Sequence, residues 1–203
     1  MFSEAESQQV ADLVREVEAR TSGEVAVVWA RRADDYVLYR GLWSLVLGGL
    51  LVAELAAQDV VSRVVWLPGL TVLAAVSFYV ALGIGPLLRW LVPSDVQNER
   101  VHRRAQVAFL EFGVTETAAR SGVLLFVSEL EHRVEVIADR GITERVEAGM
   151  WQSVVDELIS ALRAGDAAAG ILRAIARIGA VLESEFPIRD GDRNELADAP
   201  RQF

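Results

Sequence analysis

"SGVLLFVSELEHRVEVIADRGI", Ser121 to Ile142, is the stretch that decides the fold. Its first half, "GVLLFVS", is a continuous apolar run, the pattern of a central strand covered on both faces. After the polar turn "ELEH", Val134 and Val136 alternate with Arg133 and Glu135, which predicts a half-exposed or edge strand. The pair therefore predicts a hairpin. It closes on Asp139-Arg140-Gly141, so the neighbouring segments must decide whether that end carries chemistry.

Working outward, Val101, Ala105, Ala108, Phe109 and Phe112 predict an amphipathic helix before the hairpin. After it, Val146, Met150, Val154 and Leu158 mark one helix, and Ile171, Ile175, Ile178 and Leu182 mark another. Thr143 and Asp166 are their expected N-caps. Near the N-terminus, Val10, Leu13, Val14 and Val17 describe one face of a helix that ends near "RTSG", with Gly23 as its stop. "EVAVVWA", Glu24–Ala30, then predicts a strand. A helix and one strand leave a ladder unpaired, so they must pack with the segments around the hairpin. The order predicts an α/β domain, a small β-sheet with helices packed on its faces. With the first two strands parallel, "ELEH" falls at the C-terminal end of the first strand. The opposite end of the sheet then collects Glu24, Ser121, Asp139 and Arg140.

Between the first strand and the rest lies an apolar insertion. "GLWSLVLGGLLVAELAA" (Gly41–Ala57) carries one charge, Glu54, and "VVWLPGLTVLAAVSFYVALGIGPLL" (Val64–Leu88) carries none. A bilayer-spanning helix needs about 20 mostly apolar residues, and the first segment reaches that length from Val37 if Arg40 snorkels to the interface. "QDVVSR" joins the two as a short loop, so they predict an antiparallel transmembrane hairpin. Trp43, Trp66 and Trp90 lie near its ends, where aromatic belts sit. Gly49 with Ala53, and Ala81 with Gly85, are the small residues expected at the helix contact. Burial of both helices in a soluble core is the competing reading, and a chain of 203 residues has little protein to surround them. Arg31, Arg32, Arg40, Arg89, Arg100, Arg103 and Arg104 flank the hairpin, and only Arg63 lies in its loop. That asymmetry predicts cytoplasmic N- and C-termini in the inner (plasma) membrane of a bacterium, with the loop outside.

The composition removes whole classes of function. The chain is 52% hydrophobic yet 24% charged, and its net charge is −9. Such acidity argues against a nucleic-acid partner, which requires a basic face. The absence of cysteine excludes disulfides, thiolate metal sites and thiol nucleophiles, and two histidines are too few for a His-rich metal site. "MFSEAESQQV" lacks the basic and apolar regions of a signal peptide. No serine sits in a nucleophile-elbow context, and no glycine run resembles a phosphate loop.

"TSGEVAVVW", "AFLEFGVTETAARSGVLLFVSELEHRVEVIADRGI", Trp151 and "AIARIGAVLESEFP" resemble the TPM domain. That family is named for thylakoid-lumen, photosystem II repair and acetylcholine-receptor-modulator members, and it has a branch of bacterial membrane proteins. The resemblance covers Ser3–Arg32 and Asp95–Pro187 and omits the insertion. It implies a TPM-like αβα sandwich. It also implies an unsettled activity, with phosphatase activity and calcium binding in some members and adaptor roles in others. Many members carry Asp or Asn where this chain has Ser121, and the predicted cytoplasmic side holds little free calcium; both departures argue against a calcium site.

Residues 1–35 and 94–187 are thus the two parts of one TPM-like domain, 36–93 its transmembrane hairpin, and 188–203 a tail expected to be disordered. Asp139 and Glu24 are the metal candidates, with the Ser121 hydroxyl as a third oxygen, and Ca or Mg the cation such ligands suit. An Asp139–Arg140 ion pair, or a turn fixed by Asp139 with Gly141 at positive φ, is weighed above a ligand role. Glu111, Glu116, His102 and His132 are expected to be solvated, His132 in an exposed turn and His102 in a basic cluster, and Glu54 interfacial. The sequence supplies a tether and no catalytic constellation. It favours a membrane-anchored binding or assembly module, with the bilayer and a membrane protein, or self-association, as partners. A divalent-metal-dependent phosphatase at Asp139 and Glu24 is the alternative. A pore of oligomerised hairpins ranks below both, because the spans are nearly free of charge.

Overall fold

A computed structural model describes residues 3–58, 66–84, 86–188 and 194–203. Arg63 and Gly85, used above for orientation and helix contact, lie outside the described residues. The chain forms two compact units: Met1–Ala33 with Asn98–Phe203, and Asp34–Gln97.

In the first unit, α1 (Glu4–Glu18) opens on a capping box. The Ser3 hydroxyl accepts the Glu6 N–H at 3.2 Å, and the Glu6 carboxylate accepts the Ser3 N–H at 2.7 Å. α1 ends before Gly23, not at it. The Thr21 hydroxyl, within hydrogen-bonding range of the Leu182 carbonyl (3.0 Å) and the Phe186 carbonyl (2.5 Å), fixes the exit instead. β1 (Glu24–Ala30) pairs in parallel with β2 (Gly122–Ser128), and β2 pairs antiparallel with β3 (Arg133–Ala138). α6 (Arg140–Thr143), α7 (Ala148–Ala164) and α8 (Ala167–Glu185) follow. The sheet order among the described residues is β3-β2-β1-β4, where β4 is Arg201–Gln202, parallel to β1.

Strand alternation divides the sheet between two cores. Val25, Val27, Trp29, Val123, Leu125 and Val127 face α1, α7 and α8. Ala26, Val28, Leu124 and Phe126 face Val101, Ala105, Ala108 and Phe109 of α5 (Ser94–Glu111), a helix that crosses the unit boundary. Both faces of β1 and β2 are covered, which is why these strands read as unbroken apolar runs. The result is the predicted α/β sandwich.

Three local expectations are corrected. Thr143 is the last residue of α6, not a cap, because Asp139 already caps that short helix and the Thr143 hydroxyl turns back to the Asp139 carbonyl at 3.0 Å. Met150 is 45% exposed, so the buried face of α7 runs through Val154 and Leu158 instead. Of the tail expected to be disordered, 189–193 lie outside the described residues, and the rest is ordered against the sheet. Asn194–Phe203 returns to the sheet, where Leu196 and Phe203 pack on the second core and Phe203 meets Phe112 edge-on, ring centroids 5.4 Å apart. Two aromatic and aliphatic anchors plus backbone pairing hold it, a combination with no periodicity to read.

The second unit is a helical pair, α2 (Val37–Ala57) and α3 (Leu67–Ile84), followed by α4 (Leu88–Leu91). Ser44, Gly48 and Val52 form the buried face of α2, and Ala75 and Leu82 that of α3. The close contact is at Gly48, where a Cβ would lie 2.8 Å from the Ala75 nitrogen; at Gly49 it would meet open space. Ala53 and Ala81 are exposed, so the small-residue contact lies one position from the predicted one. Arg40 does not merely extend past the helix end. Its guanidinium lies over the Tyr79 ring at 4.2 Å and donates to the Tyr79 carbonyl at 3.0 Å. α2 and α3 are long and apolar enough to cross a membrane, with mean hydropathy 1.4 and 2.0. Only 17% and 11% of the apolar stretch of each is buried within this chain.

Candidate functional site

The parallel register places Glu24 opposite Gly122, and the Asp139 N–H donates to the Gly122 carbonyl at 2.9 Å. Glu24 of β1, Gly122 of β2 and Asp139, the residue after β3, therefore lie in one row at the predicted sheet end. Adjacent strands are about 4.8 Å apart, which separates the two acidic positions by roughly 10 Å. Gly122 fills the gap with backbone, not with space. A Cβ there would collide with the Val114 carbonyl and lie 2.6 Å from Val114 Cγ1, so the 3-10 turn Val114–Glu116 packs directly onto it. Ser121 belongs to the other alternation. Its hydroxyl donates to the Ser22 carbonyl at 2.7 Å, and its N–H donates to the Thr117 hydroxyl at 3.1 Å. The three candidate oxygens share a sheet end without converging.

Glu24, only 6% exposed, is taken up by the returning tail. Its two carboxylate oxygens accept the N–H groups of Glu195 (3.1 Å) and Leu196 (3.2 Å). Beside it, at the end of α1, the Glu18 carboxylate accepts the Val25 N–H at 3.0 Å and the Asn194 amide at 3.1 Å. Burial pushes the Glu18 carboxyl up to about 8; the Val25 N–H opposes the rise, while nearby Glu24 and Asp198 add to it. Arg15 pairs with Asp198 at 3.1 Å. Glu18, Glu24 and Asp198 are thus a carboxylate cluster closed by backbone donors and one arginine. Among the described residues no group of three or more His, Cys, Asp or Glu is arranged to hold a metal ion. A hard cation needs several free oxygens, and Glu24 has both of its own engaged.

Asp139 is the N-cap of α6 and accepts the Arg140 N–H at 2.7 Å. Its Oδ2 is buried and lies 3.7 Å from Arg120 Nη1. Arg140 turns away to Glu144 at 2.8 Å, so the expected Asp139–Arg140 pair is replaced by Asp139–Arg120. The arginine that matters comes from the loop before β2, a long-range contact with no local signal. Arg120 itself has left-handed backbone, φ 52°. Gly141, by contrast, is not among the glycines at positive φ. It is required because a Cβ would lie 2.7 Å from the Arg120 carbonyl and 2.8 Å from that of Ala119. This end can hold a turn and an ion pair, and a cation beside Arg120 would meet like charge.

The remaining candidates separate. Glu111 and Glu116 are exposed as expected, and the Glu54 carboxylate accepts the Gln58 amide at 2.5 Å. His102 is exposed, 3.6 Å from Glu135 and 3.0 Å from the Gln106 amide. His132 is half-buried, not exposed, and its backbone is left-handed, φ 50°. With Trp29, Glu129, Glu6 and Gly165 it lines a cavity of about 240 Å³ at the other end of the sheet. Glu131 holds that turn, accepting the Ala33 N–H at 3.0 Å and the Ser128 hydroxyl at 2.5 Å. Sequence reasoning missed Glu18 and the tail that closes over it. The signal was a lone acid at the end of an amphipathic helix, which spacing does not distinguish from a solvated one.

Residues 88–181 match the TPM domain. No curated protein matches the chain. Among solved structures, the chain is similar to the NMR structure of the BA42 protein from the psychrophilic bacterium Bizionia argentinensis, with a TM-score of 0.63 and 16% identity. That likeness covers 100% of this chain and 96% of the other, and at such identity it shows the fold. The quoted hairpin, its edge-strand partner and the two flanking helix layers all fall into that fold, and the chain carries a TPM domain, matched over residues 88–181.

Proposed function

We propose that this chain is a membrane-anchored TPM domain that serves as a binding or assembly module, held at the cytoplasmic face of a bacterial inner membrane by the α2–α3 hairpin. The observation that carries the reading is the outer surface of that hairpin. Leu42, Leu45, Leu50, Val72, Leu73 and Val76 are all at least half exposed, on helices of transmembrane length. In water such a surface is a large uncovered apolar patch; in a bilayer it is the solvated face. Arg40, one of the two charges within α2, donates to the Tyr79 carbonyl of α3, as a charge within a span should find a partner. The excess of arginine on both flanks supports the cytoplasmic side.

The binding role is preferred to a metal-dependent phosphatase because both Glu24 oxygens and the Ser121 hydroxyl are engaged by backbone groups, while the buried Asp139 Oδ2, which accepts no hydrogen bond among the described residues, faces the Arg120 guanidinium. Alkaline carbonate extraction tests the anchor. The chain should stay with the membrane pellet, and deletion of 36–93 should move it to the supernatant. Release of the full chain by carbonate contradicts the proposal.

A further inference from the structure

Asn194–Phe203 lies along the outer edge of β1 and covers what would otherwise be a row of unpaired backbone groups. It is seated at both ends. At the first, Glu24 receives two tail N–H groups, and the Ala118 N–H donates to the Glu195 carboxylate at 2.8 Å. At the second, Val28 and Trp29 pair with Arg201 and Gln202, and the Phe203 N–H donates to the Trp29 carbonyl at 3.0 Å. The Phe203 ring sits between Phe112 and Arg104, whose guanidinium lies 3.9 Å from its centroid. Backbone ladder bonds supply the attachment, while an acidic residue and an aromatic residue at set positions supply the selection, as in recognition by strand addition.

The paired stretch is short, two residues, and most of the polar anchors are at the surface. A segment held this way opens at a fraction of the global unfolding free energy. The vacated edge then accepts any extended segment with the same pattern, and a second copy of this chain carries it. The contacts in trans are those already made in cis, the logic of strand exchange. We propose that the outer edge of β1, from Glu24 to the Phe112–Arg104 platform, is a strand-addition site whose occupant exchanges between the chain's own Asn194–Phe203 and the same segment of a second copy.

The chain has no cysteine, so introduced thiols report one contact. Val28 and Arg201 are register partners. Neighbouring strands lie about 4.8 Å apart, within the roughly 4.4–6.8 Å reach of a disulfide. Full-length chain carrying both Val28→Cys and Arg201→Cys should cross-link internally on oxidation. Mixed populations carrying one substitution each should give a disulfide-linked heterodimer whose yield rises with chain concentration. The yield should reach tens of per cent near ~1 mM, the effective concentration of a short tether, and fall about two-fold or more with millimolar Asn194–Phe203 peptide. An internal cross-link without heterodimer overturns the exchange. Absence of the internal cross-link, or a heterodimer indifferent to the peptide, overturns the seating. The unsubstituted chain gives a check independent of the variants. Millimolar peptide should speed hydrogen exchange of the chain's own Phe203 amide about two-fold or more, and an unchanged rate contradicts the proposal.

Discussion

Replacing Glu18 with Gln should make the protein more stable at high pH and leave it unchanged at low pH. In the native state the Glu18 carboxyl is raised from the ordinary 4.5 to about 8, because it is largely buried and lies near Glu24 and Asp198. Between those two values the unfolded chain releases a proton that the folded chain keeps. Stability therefore falls as pH rises through that window, is unaffected below it, and levels off above about 8. At about 1.4 kcal/mol per pH unit the shift sets a ceiling of about 5 kcal/mol. Partial exposure and solvent screening reduce the working figure to roughly 2 kcal/mol. Gln keeps an oxygen for the Val25 N–H and removes the charge, so Glu18→Gln should match wild type at about pH 3.5, below the window, and exceed it by roughly 2 kcal/mol at pH 9. Urea unfolding of the detergent-solubilised full chain at both pH values measures the difference directly. The corresponding shift in Tm at pH 9 is about 4–8 °C. A gap that is the same at about pH 3.5 and at pH 9, or a variant less stable than wild type at pH 9, would refute the reasoning.

Other expectations follow from close contacts. Gly141→Ala forces a Cβ against the Arg120 and Ala119 carbonyls and should cost about 2 kcal/mol in thermal unfolding, whereas Gly149→Ala, which meets open space within α7, should be neutral or slightly stabilising. Phe126→Ala empties the middle of the second core and should cost about 3–5 kcal/mol by urea titration. In the hairpin, Gly48→Ile should separate α2 from α3 and weaken a cysteine cross-link between them, while Gly49→Ile should leave it intact.

Much of the architecture was legible because strand and span patterns are dense. β1 and β2 match the predicted strands residue for residue, since seven consecutive buried positions leave no other reading. The apolar insertion was plain for the same reason. The errors arise where a feature depends on contacts distant in sequence. Helix rotation within the hairpin was misplaced by one residue because helices apolar all round carry no preferred face, so Gly48 and Gly49 look alike until Ala75 is beside one of them. The ion-pair partner of Asp139 is Arg120, brought up by a left-handed turn, and not the adjacent Arg140. The tail was misread because backbone donors to Glu24 and a single ring on Phe112 hold it. Its closure over Glu18 and Glu24 engages both Glu24 carboxylate oxygens with backbone donors.

The central claim is that the hairpin spans a bilayer and tethers the TPM domain on the cytoplasmic side. Paired reporter fusions in a bacterial host test it most directly, one reporter active only in the cytoplasm and one only outside. After Phe203 the cytoplasmic reporter should be active. After Gln58, at the end of α2, the external one should be active. Activity of the same reporter at both positions would mean that α2 does not cross, and external activity after Phe203 would contradict the cytoplasmic placement of the domain.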